Sequence, residues 1–408
     1  MPTNDTPWAL AGTPAGAQRL NAAWIRYGGD PITRSQLDFA IKHYSVAIIQ
    51  PWEKEAAHYL KTHAPNMTVL AYKCLSSSRN YEPGPIYSSG VSYAQAQELL
   101  KSRNIDLFAR RKDGSLIEWN GYGGHFQMKV WNPDYRWFWT QNVVNEMRNS
   151  PFDGVMADND VENDYYNLRL PISEANDMVT IRAGLEDLVG YAGSELNKIG
   201  KLLVPNIAEA RLREGKWKRH SAYGGGFEEV WMGWDRDSFL SRSHTLLQGE
   251  SIYAGAKEKV TLYKNGVKQE VAPVTVLRTP QKHEGGTRVP STTSSISDPN
   301  LDYALAAYWV FGAGRFTGVI TTGHDSYNGT PFSPELSMDL GAPLSSSDAP
   351  TSHEGVYLRE FERGFAALNA GESPVGIIVP RGLVTWDGKA APEQVYLQPH
   401  QGVVYTKA

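Results

Sequence analysis

The stretch FDGVMADND at residues 152–160 contains the residue types that could do acid–base chemistry. An apolar run of strand length ends in Asp158, and Asp160 follows two positions later. Catalytic groups of α/β barrels lie on the face built from the loops that follow the strands, so an acidic residue directly after a buried strand is placed for catalysis. Ordinary turns carry similar motifs, and the pattern leaves both aspartates open as candidates.

A second group of acidic residues follows a glycine-rich stretch, HSAYGGGFEEVWMGW at residues 220–234. Glu228 and Glu229 stand side by side there. Hydrolysis of a glycosidic bond needs two carboxyl groups that face each other across the sugar, one ionised and one protonated. Strand alternation directs one of the two glutamates toward the site and the other away. We predict Asp158 as nucleophile and Glu228 as general acid/base, with Asp160 and Glu229 as the alternatives.

Aromatic residues are abundant, with 12 Trp and 21 Tyr. Many adjoin Gly, Asn or Asp, and flat rings with a polar edge suit the faces of sugars, although large cores also use them. We therefore predict a carbohydrate ligand and expect the long segment 76–131 to form a wall of its cleft. The predicted substrate-binding residues are Trp24, Arg26, Tyr27, Gln50, Trp52, Tyr72, Lys73, Trp119, Trp131, Asn206, Tyr223, Trp231, Trp234, Arg278 and His324.

Eight short apolar segments alternate with amphipathic segments from Asn21 onward. This alternation is typical of βα units around a parallel sheet. The predicted fold class is α/β, as a (β/α)8 TIM barrel, because eight strands fit a barrel and the Gly-rich turn of a dinucleotide-binding fold is missing after the first strand. The predicted strands lie within residues 21–28, 45–52, 67–75, 152–160, 201–207, 220–234, 272–279 and 316–323.

Three regions are expected along the chain. Residues 1–20 form a flexible lead-in, residues 21–335 form the catalytic barrel, and residues 336–408 form a small C-terminal module. The last region contains short alternating segments separated by turn residues, which is typical of an antiparallel β-sandwich-like arrangement. An Asn-Gly pair at residues 265–266 indicates a hairpin inserted before the seventh barrel strand.

Composition and charge exclude several classes of function. The net charge of -4 gives no basic footprint for nucleic acid. A single cysteine, Cys74, excludes an internal disulfide and a Cys-rich zinc site. The longest apolar stretch is shorter than the ~20 residues that span a bilayer, so we expect no membrane partner. The N-terminal residues lack the basic and apolar regions of a signal peptide.

Familiar catalytic and cofactor motifs are missing. The sequence has no HExxH, no GxSxG and no GxxxxGK[ST], which argues against a zinc protease, an α/β-hydrolase and a P-loop protein. The acidic segment after Asp158 supplies oxygen ligands but departs from the EF-hand pattern, with Asn163 in place of the glycine and Arg169 in place of the closing glutamate. We predict neither a cofactor nor a metal ion, and a cation site of another type stays open.

The order of several motifs resembles that of a known family. NPDYRWFW precedes FDGVMADND, the Gly-rich strand with Glu228 follows, LDYALAAYWVFGAG precedes the eighth strand, and REFERGFAALN lies in the C-terminal module. Over most of residues 20–405 the chain resembles hypothetical glycoside-hydrolase-like TIM-barrel proteins, in particular glycosyl-hydrolase-like family fifteen. The resemblance implies a TIM barrel with a β-sandwich tail that hydrolyses a glycan. It also implies that Asp158 is the strand-4 carboxylate and that Glu228 is the later acidic residue.

These observations together predict a glycoside hydrolase that cleaves a poly- or oligosaccharide by a retaining double-displacement mechanism. A carbohydrate-binding, catalytically silent barrel is the alternative, and a sugar isomerase or lyase would need metal ligands that the sequence does not offer. The long segment 76–131 favours a polymer or oligosaccharide, since several ring-stacking subsites need such a surface. We expect an extracellular or cell-envelope location, with phage-associated delivery as a further route.

Overall fold

The computed structural model describes residues 21–28, 30–234, 238–255, 260–271, 273–279, 299–312, 318–322, 332, 334–344, 351–353 and 355–408. The predicted lead-in at residues 1–20 lies outside this part. The α-helices are α1 (Arg34–His43), α2 (Lys54–His63), α3 (Tyr93–Arg103), α4 (Pro133–Arg148), α5 (Met178–Lys198), α6 (Lys216–His220), α7 (Arg242–Gly255) and α8 (Pro299–Gly312). Short 3-10 helices lie at Ala210–Leu212, Ser221–Tyr223 and Pro334–Ser337.

The strands are numbered in chain order. The first twelve are β1 (Asn21–Arg26), β2 (Val46–Ile49), β3 (Thr68–Cys74), β4 (Ser77–Arg79), β5 (His125–Gln127), β6 (Gly154–Asp158), β7 (Leu202–Pro205), β8 (Gly225–Glu228), β9 (Val260–Lys264), β10 (Val267–Val271), β11 (Val274–Thr279) and β12 (Gly318–Thr322). The last seven are β13 (Thr351–His353), β14 (Val356–Phe361), β15 (Gly364–Asn369), β16 (Val375–Ile378), β17 (Leu383–Val384), β18 (Gln394–Leu397) and β19 (Gln401–Lys407).

Local sequence explains where the helices begin. Thr33 forms a capping box with Gln36 before α1, and the Ser92 side chain accepts a hydrogen bond from Gln95 N at the start of α3. Asn132 caps α4, whose first residue is Pro133, a position where the missing N–H costs nothing. Ser92 and Asn132 with Pro133 are thus start signals that can be read from the sequence itself.

One parallel sheet of eight strands organises the structure. Its order is β7-β6-β3-β2-β1-β12-β11-β8, and each predicted segment contains one of these strands. The two strands at the ends of this order, β7 and β8, are linked by a parallel bridge between Asn206 and Phe227. Ile207 N donates to Phe227 O there at 2.8 Å. The predicted α/β class with a parallel sheet is confirmed.

The sheet has two different faces, because side chains alternate along each strand. We call inner the face whose buried apolar cluster is built from strand residues alone, such as Ile25, Met156 and Phe227. The outer face packs against the helices through residues such as Trp24 and Leu203. The same alternation continues to the carboxyl ends of the strands. There, seven of the strands each place one polar or aromatic side chain on the inner face: Tyr27, Gln50, Tyr72, Asp158, Asn206, Glu229 and Arg278.

Two further layers flank the sheet. The segment after β3 carries the β4–β5 pair and α3, and it stands above the carboxyl ends of β1 to β3. At the C-terminus, β13, β14, β15, β19 and β17 form an antiparallel sheet, and β16 pairs antiparallel with β18. These two sheets share an apolar cluster that includes Phe365, Val375 and Leu397. The domain boundary at residue 335 and the sandwich arrangement stay predictions. The predicted hairpin at Asn265–Gly266 joins β9 to β10 and is confirmed.

Candidate active site

Asp158 is the last residue of β6, and its carboxylate lies at the mouth of the inner face. Three donors reach it: Tyr72 Oη at 2.6 Å, Asn206 Nδ2 at 2.9 Å and the backbone N–H of Asn159 at 2.8 Å. Burial, and then the neighbouring Glu229 carboxylate, raise the pKa of Asp158 above its ordinary value, while the Tyr72 and Asn206 hydrogen bonds act in the opposite direction. The residue is therefore a half-buried carboxylate that is held in one orientation.

Glu229 faces Asp158 across a shared amide. Asn206 Nδ2 donates to Asp158 Oδ1 and to Glu229 Oε2, each at 2.9 Å. The two oxygens are at most twice that distance apart, and the ~120° between the N–H bonds of an amide places them about 5 Å apart. Asn206, predicted as a site residue, thus joins the two carboxylates. Arg278 lies beside them, since its Nη1 donates to Glu229 O at 3.2 Å.

Glu228, the predicted acid/base, does not face Asp158. Phe227 belongs to the inner cluster, so Glu228 points outward, and its side chain is fully buried. Its Oε1 accepts hydrogen bonds from Val230 N at 2.9 Å and Glu209 N at 3.2 Å. Burial raises the pKa of Glu228 to about 7 although both backbone donors act to lower it. The structure therefore places the alternative, Glu229, and not Glu228 opposite Asp158.

Asp160, the alternative to Asp158, is buried in an ion-pair network on the outer side. Asn159 has a left-handed backbone with φ of 72°, which turns the chain so that Asp160 leaves the inner face. Asp160 Oδ2 contacts His220 Nδ1 at 2.5 Å, and Lys216 Nζ lies 3.6 Å from Oδ1. The contacts with His220 and Lys216 outweigh burial and hold the pKa of Asp160 at about 2. The Asp160 carboxylate is therefore paired within the protein and points away from the inner face.

A cavity of about 350 Å³ opens beside Asp158, and we call it the main cavity. Tyr72 connects the two, because its ring lines the cavity and its hydroxyl binds Asp158. Four predicted site residues line it: Tyr27, Gln50, Trp52 and Tyr72. Sequence reasoning missed the other lining residues individually, although all lie in the segment expected to form a cleft wall: Arg79, Tyr81, Glu82, Pro83, Tyr87, Ser88 and His125.

A second, more polar cavity of about 370 Å³ lies along the loop that follows β6. We call it the side cavity, and it is lined by Arg111, Glu118, Trp119, Asn120, Gly121, Tyr122, Gly123, Asn167 and Arg169. The predicted Trp119 is itself buried, and its ring stacks on Tyr166 at 3.6 Å. The exposed ring is Tyr122, whose pKa is raised by burial and then by the charges of Glu229 and Asp158. An exposed aromatic ring therefore stands close to the carboxylate pair.

Six predicted substrate-binding residues lie elsewhere, and those predictions are corrected. Trp24 and Lys73 point to the outer face, where Trp24 is buried and Lys73 Nζ pairs with Glu146 at 2.7 Å. Arg26 donates to the carbonyls of Gly28 and Asp30.

The other three residues pack against helices. Trp131 backbone atoms lie against Gly184 of α5, and the Tyr223 ring lies against Gly193 of the same helix, before β8 begins. Trp231 is buried and donates from its ring nitrogen to Ala304 O at 3.1 Å. Trp234 is partly exposed but lines neither cavity, and His324 lies outside the described residues.

Neither a metal site nor a membrane span is found in the described ranges. No group of three or more His, Cys, Asp or Glu residues there could hold a metal ion. No helix of that part is both long and apolar enough to cross a bilayer.

Comparison with solved structures gives distant likenesses. A debranching enzyme from Nostoc punctiforme has a TM-score of 0.46 at 9% identity, covering 97% of this chain and 99% of that one. The maltogenic α-amylase AmyB from Thermotoga neapolitana has a TM-score of 0.45 at 10% identity, covering 91% and 92%. Ega3 from Aspergillus fumigatus, solved with galactosamine, has a TM-score of 0.42 at 10% identity, covering 78% and 96%.

The sequence comparisons give a family. No curated protein matches the chain. A family model does match, over residues 61–365, which is most of the chain. The chain belongs to hypothetical glycosyl hydrolase family 15.

Proposed function

We propose that this protein is a glycoside hydrolase that cleaves a poly- or oligosaccharide with Asp158 and Glu229. Family membership supports the reaction class. The observation that carries the residue assignment is the Asn206 amide, which holds Asp158 and Glu229 at 2.9 Å each on the inner face. Two carboxylates facing each other beside an aromatic cavity are what hydrolysis of a glycosidic bond needs.

The hydrogen bonds support different roles for the two carboxylates. Two like charges this close resist ionising together, so the pair is best described with one shared proton. Three donors point at Asp158 and favour its ionised form, against the burial and the Glu229 charge that raise its pKa. Asp158 is then the nucleophile and Glu229 the general acid/base.

The proposed reaction has two steps. Glu229 donates its proton to the glycosidic oxygen while an Asp158 oxygen bonds to the anomeric carbon, and the leaving sugar departs as an alcohol. Glu229, now ionised, takes a proton from water, and the resulting hydroxide displaces Asp158 from the anomeric carbon. Two displacements restore the starting configuration, and the separation of about 5 Å supports this retaining course over the ~6.5–9.5 Å of inverting sites.

Closure of the sheet into a barrel is part of the same proposal. The parallel bridge between Asn206 and Phe227 supports a continuous ring of strands, since these residues belong to the two end strands of the order. A ring would bring the carboxyl ends of β6 and β8 to one mouth with only β7 between them. Asn206 follows β7, which explains why its amide reaches both carboxylates.

The test is release of reducing ends from a panel of plant, fungal and bacterial polysaccharides. Wild-type protein should cleave at least one of them, and proton NMR of the first product should show the anomer of the substrate. Release of the opposite anomer would remove the nucleophile role from Asp158 and make it a base that acts through water. Binding to a glycan without any release would instead favour a catalytically silent carbohydrate-binding barrel.

A further inference from the structure

Arg79 is a buried cation in the wall of the main cavity, and three of its nitrogens have acceptors. Nη1 donates to Glu82 Oε1 at 3.1 Å, Nη2 donates to Tyr72 Oη at 3.2 Å, and Nε approaches His125 Nδ1 at 3.5 Å. The sequence did not predict that Arg79 contacts Tyr72, the residue that donates to Asp158.

The contact with Tyr72 fixes the direction of a phenolic proton. A guanidinium can only donate, so Tyr72 Oη must accept from Arg79 and direct its own proton elsewhere. The acceptor in reach is Asp158 Oδ2 at 2.6 Å. Donation from a cation polarises the phenol and makes it a stronger donor to the carboxylate.

The contact with His125 favours one tautomer by the same reasoning. Nδ1 faces a donor and must accept, so the ring proton sits on Nε2, which lies 2.7 Å from Tyr81 Oη. Burial, and then the Arg79 charge, lower the pKa of His125 to about 4, which keeps the ring neutral near neutral pH. Tyr81 Oη accepts this proton, so its own hydrogen points away from His125.

Glu82 anchors the arginine. Besides Arg79, its oxygens accept from Ser88 N and Ser89 N, each at 3.1 Å. The side chains of Arg79 and Glu82 are only 8% and 4% exposed, so solvent screens the pair weakly. Arg79 is therefore held in place from one side while it donates on the other.

We propose that Arg79 is a positioning residue that acts on Asp158 through the Tyr72 hydroxyl, favours the ionised form of this carboxylate and orients it for attack. The proposal rests on the proposed function for the role of the Asp158 charge in catalysis. The chain of hydrogen bonds from Arg79 through Tyr72 to Asp158, which we call the relay, does not depend on that function. The other titratable groups around Asp158 are Glu229, Tyr122 and Tyr166, and Asn206 donates to it.

The experiment reads the Asp158 carboxyl directly. Protein labelled with 13C at the aspartate carboxyls is titrated by NMR, and the Asp158 signal is identified by its loss in Asp158→Asn. Tyr72→Phe should raise the pKa of Asp158 by about one unit or more, because a donor to the ionised form is gone. Tyr59→Phe is the matched control, since Tyr59 Oη donates to another aspartate, Asp38, at 2.7 Å on the surface. The control should leave Asp158 unchanged.

A double-mutant cycle separates the relay from the bare charge of Arg79. It is carried out in a Glu82→Gln background, so that Arg79→Met does not leave a buried carboxylate alone. Tyr72→Phe should shift the Asp158 pKa more when Arg79 is present than when it is replaced. Additive shifts would overturn the relay and leave Arg79 acting through space. An Asp158 titration that Tyr72→Phe does not move would overturn the proposal altogether.

The tautomer of His125 is a second readout, and it can be measured in wild-type protein even if the variants of the cycle unfold. In 15N-histidine spectra of wild-type protein, His125 should be neutral with its proton on Nε2 above pH ~5. Arg79→Lys keeps a cation but not the three-way fork, and it should raise the fraction of the other tautomer. A wild-type His125 that carries its proton on Nδ1 would contradict the donor geometry.

Kinetics then connect the relay to the reaction. Tyr72→Phe should lower kcat by about 10- to 100-fold and move the acidic limb of the kcat profile to higher pH, with KM changing less. A wild-type protein that cleaves no glycan would sink the proposed function while leaving the NMR result to decide the relay. An active wild type with an unshifted limb in Tyr72→Phe would count against the relay alone.

Discussion

Two pairs of acidic residues lie on the same stretches of chain but on opposite sides of the sheet. Asp158 and Glu229 share the Asn206 amide at the inner mouth, and Asp160 and Glu228 are buried among groups of the outer side. Within each stretch the two residues are at most two positions apart. Only the direction of the side chain separates a candidate catalytic pair from a structural one.

The outer pair has displaced pKa values without the geometry proposed for catalysis. Glu228 has a pKa of about 7, a value suited to acid–base catalysis at neutral pH, and it lines neither the main cavity nor the side cavity. Asp160 is displaced the other way, to about 2, by His220 and Lys216. The inner pair is distinguished by geometry, because its two carboxylates face each other beside an open cavity.

The sharpest test of this comparison is the loss of catalysis. Asp158→Asn and Glu229→Gln should each lower kcat by three or more orders of magnitude, since the nucleophile and the proton donor act in the transition state. Glu228→Gln differs from Glu229→Gln by one position and should keep activity of the wild-type order. Circular dichroism checks that all three are folded. If Glu228→Gln is the inactive variant, the inner and outer assignments must be exchanged.

The sequence predicts most of the fold because apolar periodicity survives in nearly every element. All eight strands of the parallel sheet fall within the predicted segments, and Asn132 with Pro133 indicates in the sequence where α4 begins. The register of β8 is the exception. Gly224, Gly225 and Gly226 have no side chains to show the alternation, and a slip of one residue reverses every side chain that follows.

The main-cavity wall could not be predicted residue by residue for a different reason. Tyr81 and His125 are 44 positions apart and meet only through the pairing of β4 with β5. These strands are three residues each, too short to give a periodic signal. Composition indicated that the segment forms a wall, and tertiary pairing decides which side chains reach the cavity.

The next prediction concerns stability on the outer side. Asp160→Ala leaves the fully buried Lys216 with one fewer carboxylate, and we expect the free energy of unfolding to fall by about 3–5 kcal/mol. The stabilisation has a definite pH dependence. Because the folded pKa of about 2 lies below the ordinary 3.8, it is complete above pH ~4 and is lost as the pH falls through 2. Urea titrations at pH 7 measure the loss.

Activity provides the contrast for this variant. The folded fraction of Asp160→Ala should turn over substrate at a rate of the wild-type order, because Asp160 does not reach the inner face. A folded Asp160→Ala protein that is inactive would return Asp160 to the list of catalytic candidates.

Glu228 should show the opposite pH dependence. Its folded pKa of about 7 lies above the ordinary 4.5, so the neutral side chain contributes its full stability below pH 4.5 and this contribution is lost as the pH rises through 7. The difference of about 2.5 units corresponds to about 3 kcal/mol. Glu228→Gln stays neutral, and its oxygen can still accept from Val230 N. Unfolding at pH 5 and pH 8 should therefore differ less in this variant than in wild type, and an equal difference would show that Glu228 ionises normally.

The smallest expected effect tests the residue that joins the inner pair. Asn206→Ala removes the amide that donates to Asp158 Oδ1 and Glu229 Oε2. Both carboxyl groups are still present, but neither is held in a fixed orientation by this amide. We expect kcat to fall by about 10- to 100-fold, as for loss of a hydrogen bond to a charged group. The acidic limb of the kcat profile should move to higher pH, because Asp158 loses a donor to its ionised form.

Asn197→Ala is the matched control for this variant. Asn197 Nδ2 also bridges two acceptors, Lys201 O and Tyr223 O, but it lies on α5 away from the mouth. Its loss should lower stability and leave the pH profile of kcat in place. If Asn206→Ala changes only the unfolding free energy, as Asn197→Ala should, then the shared amide is a structural bridge and the roles of Asp158 and Glu229 do not depend on it.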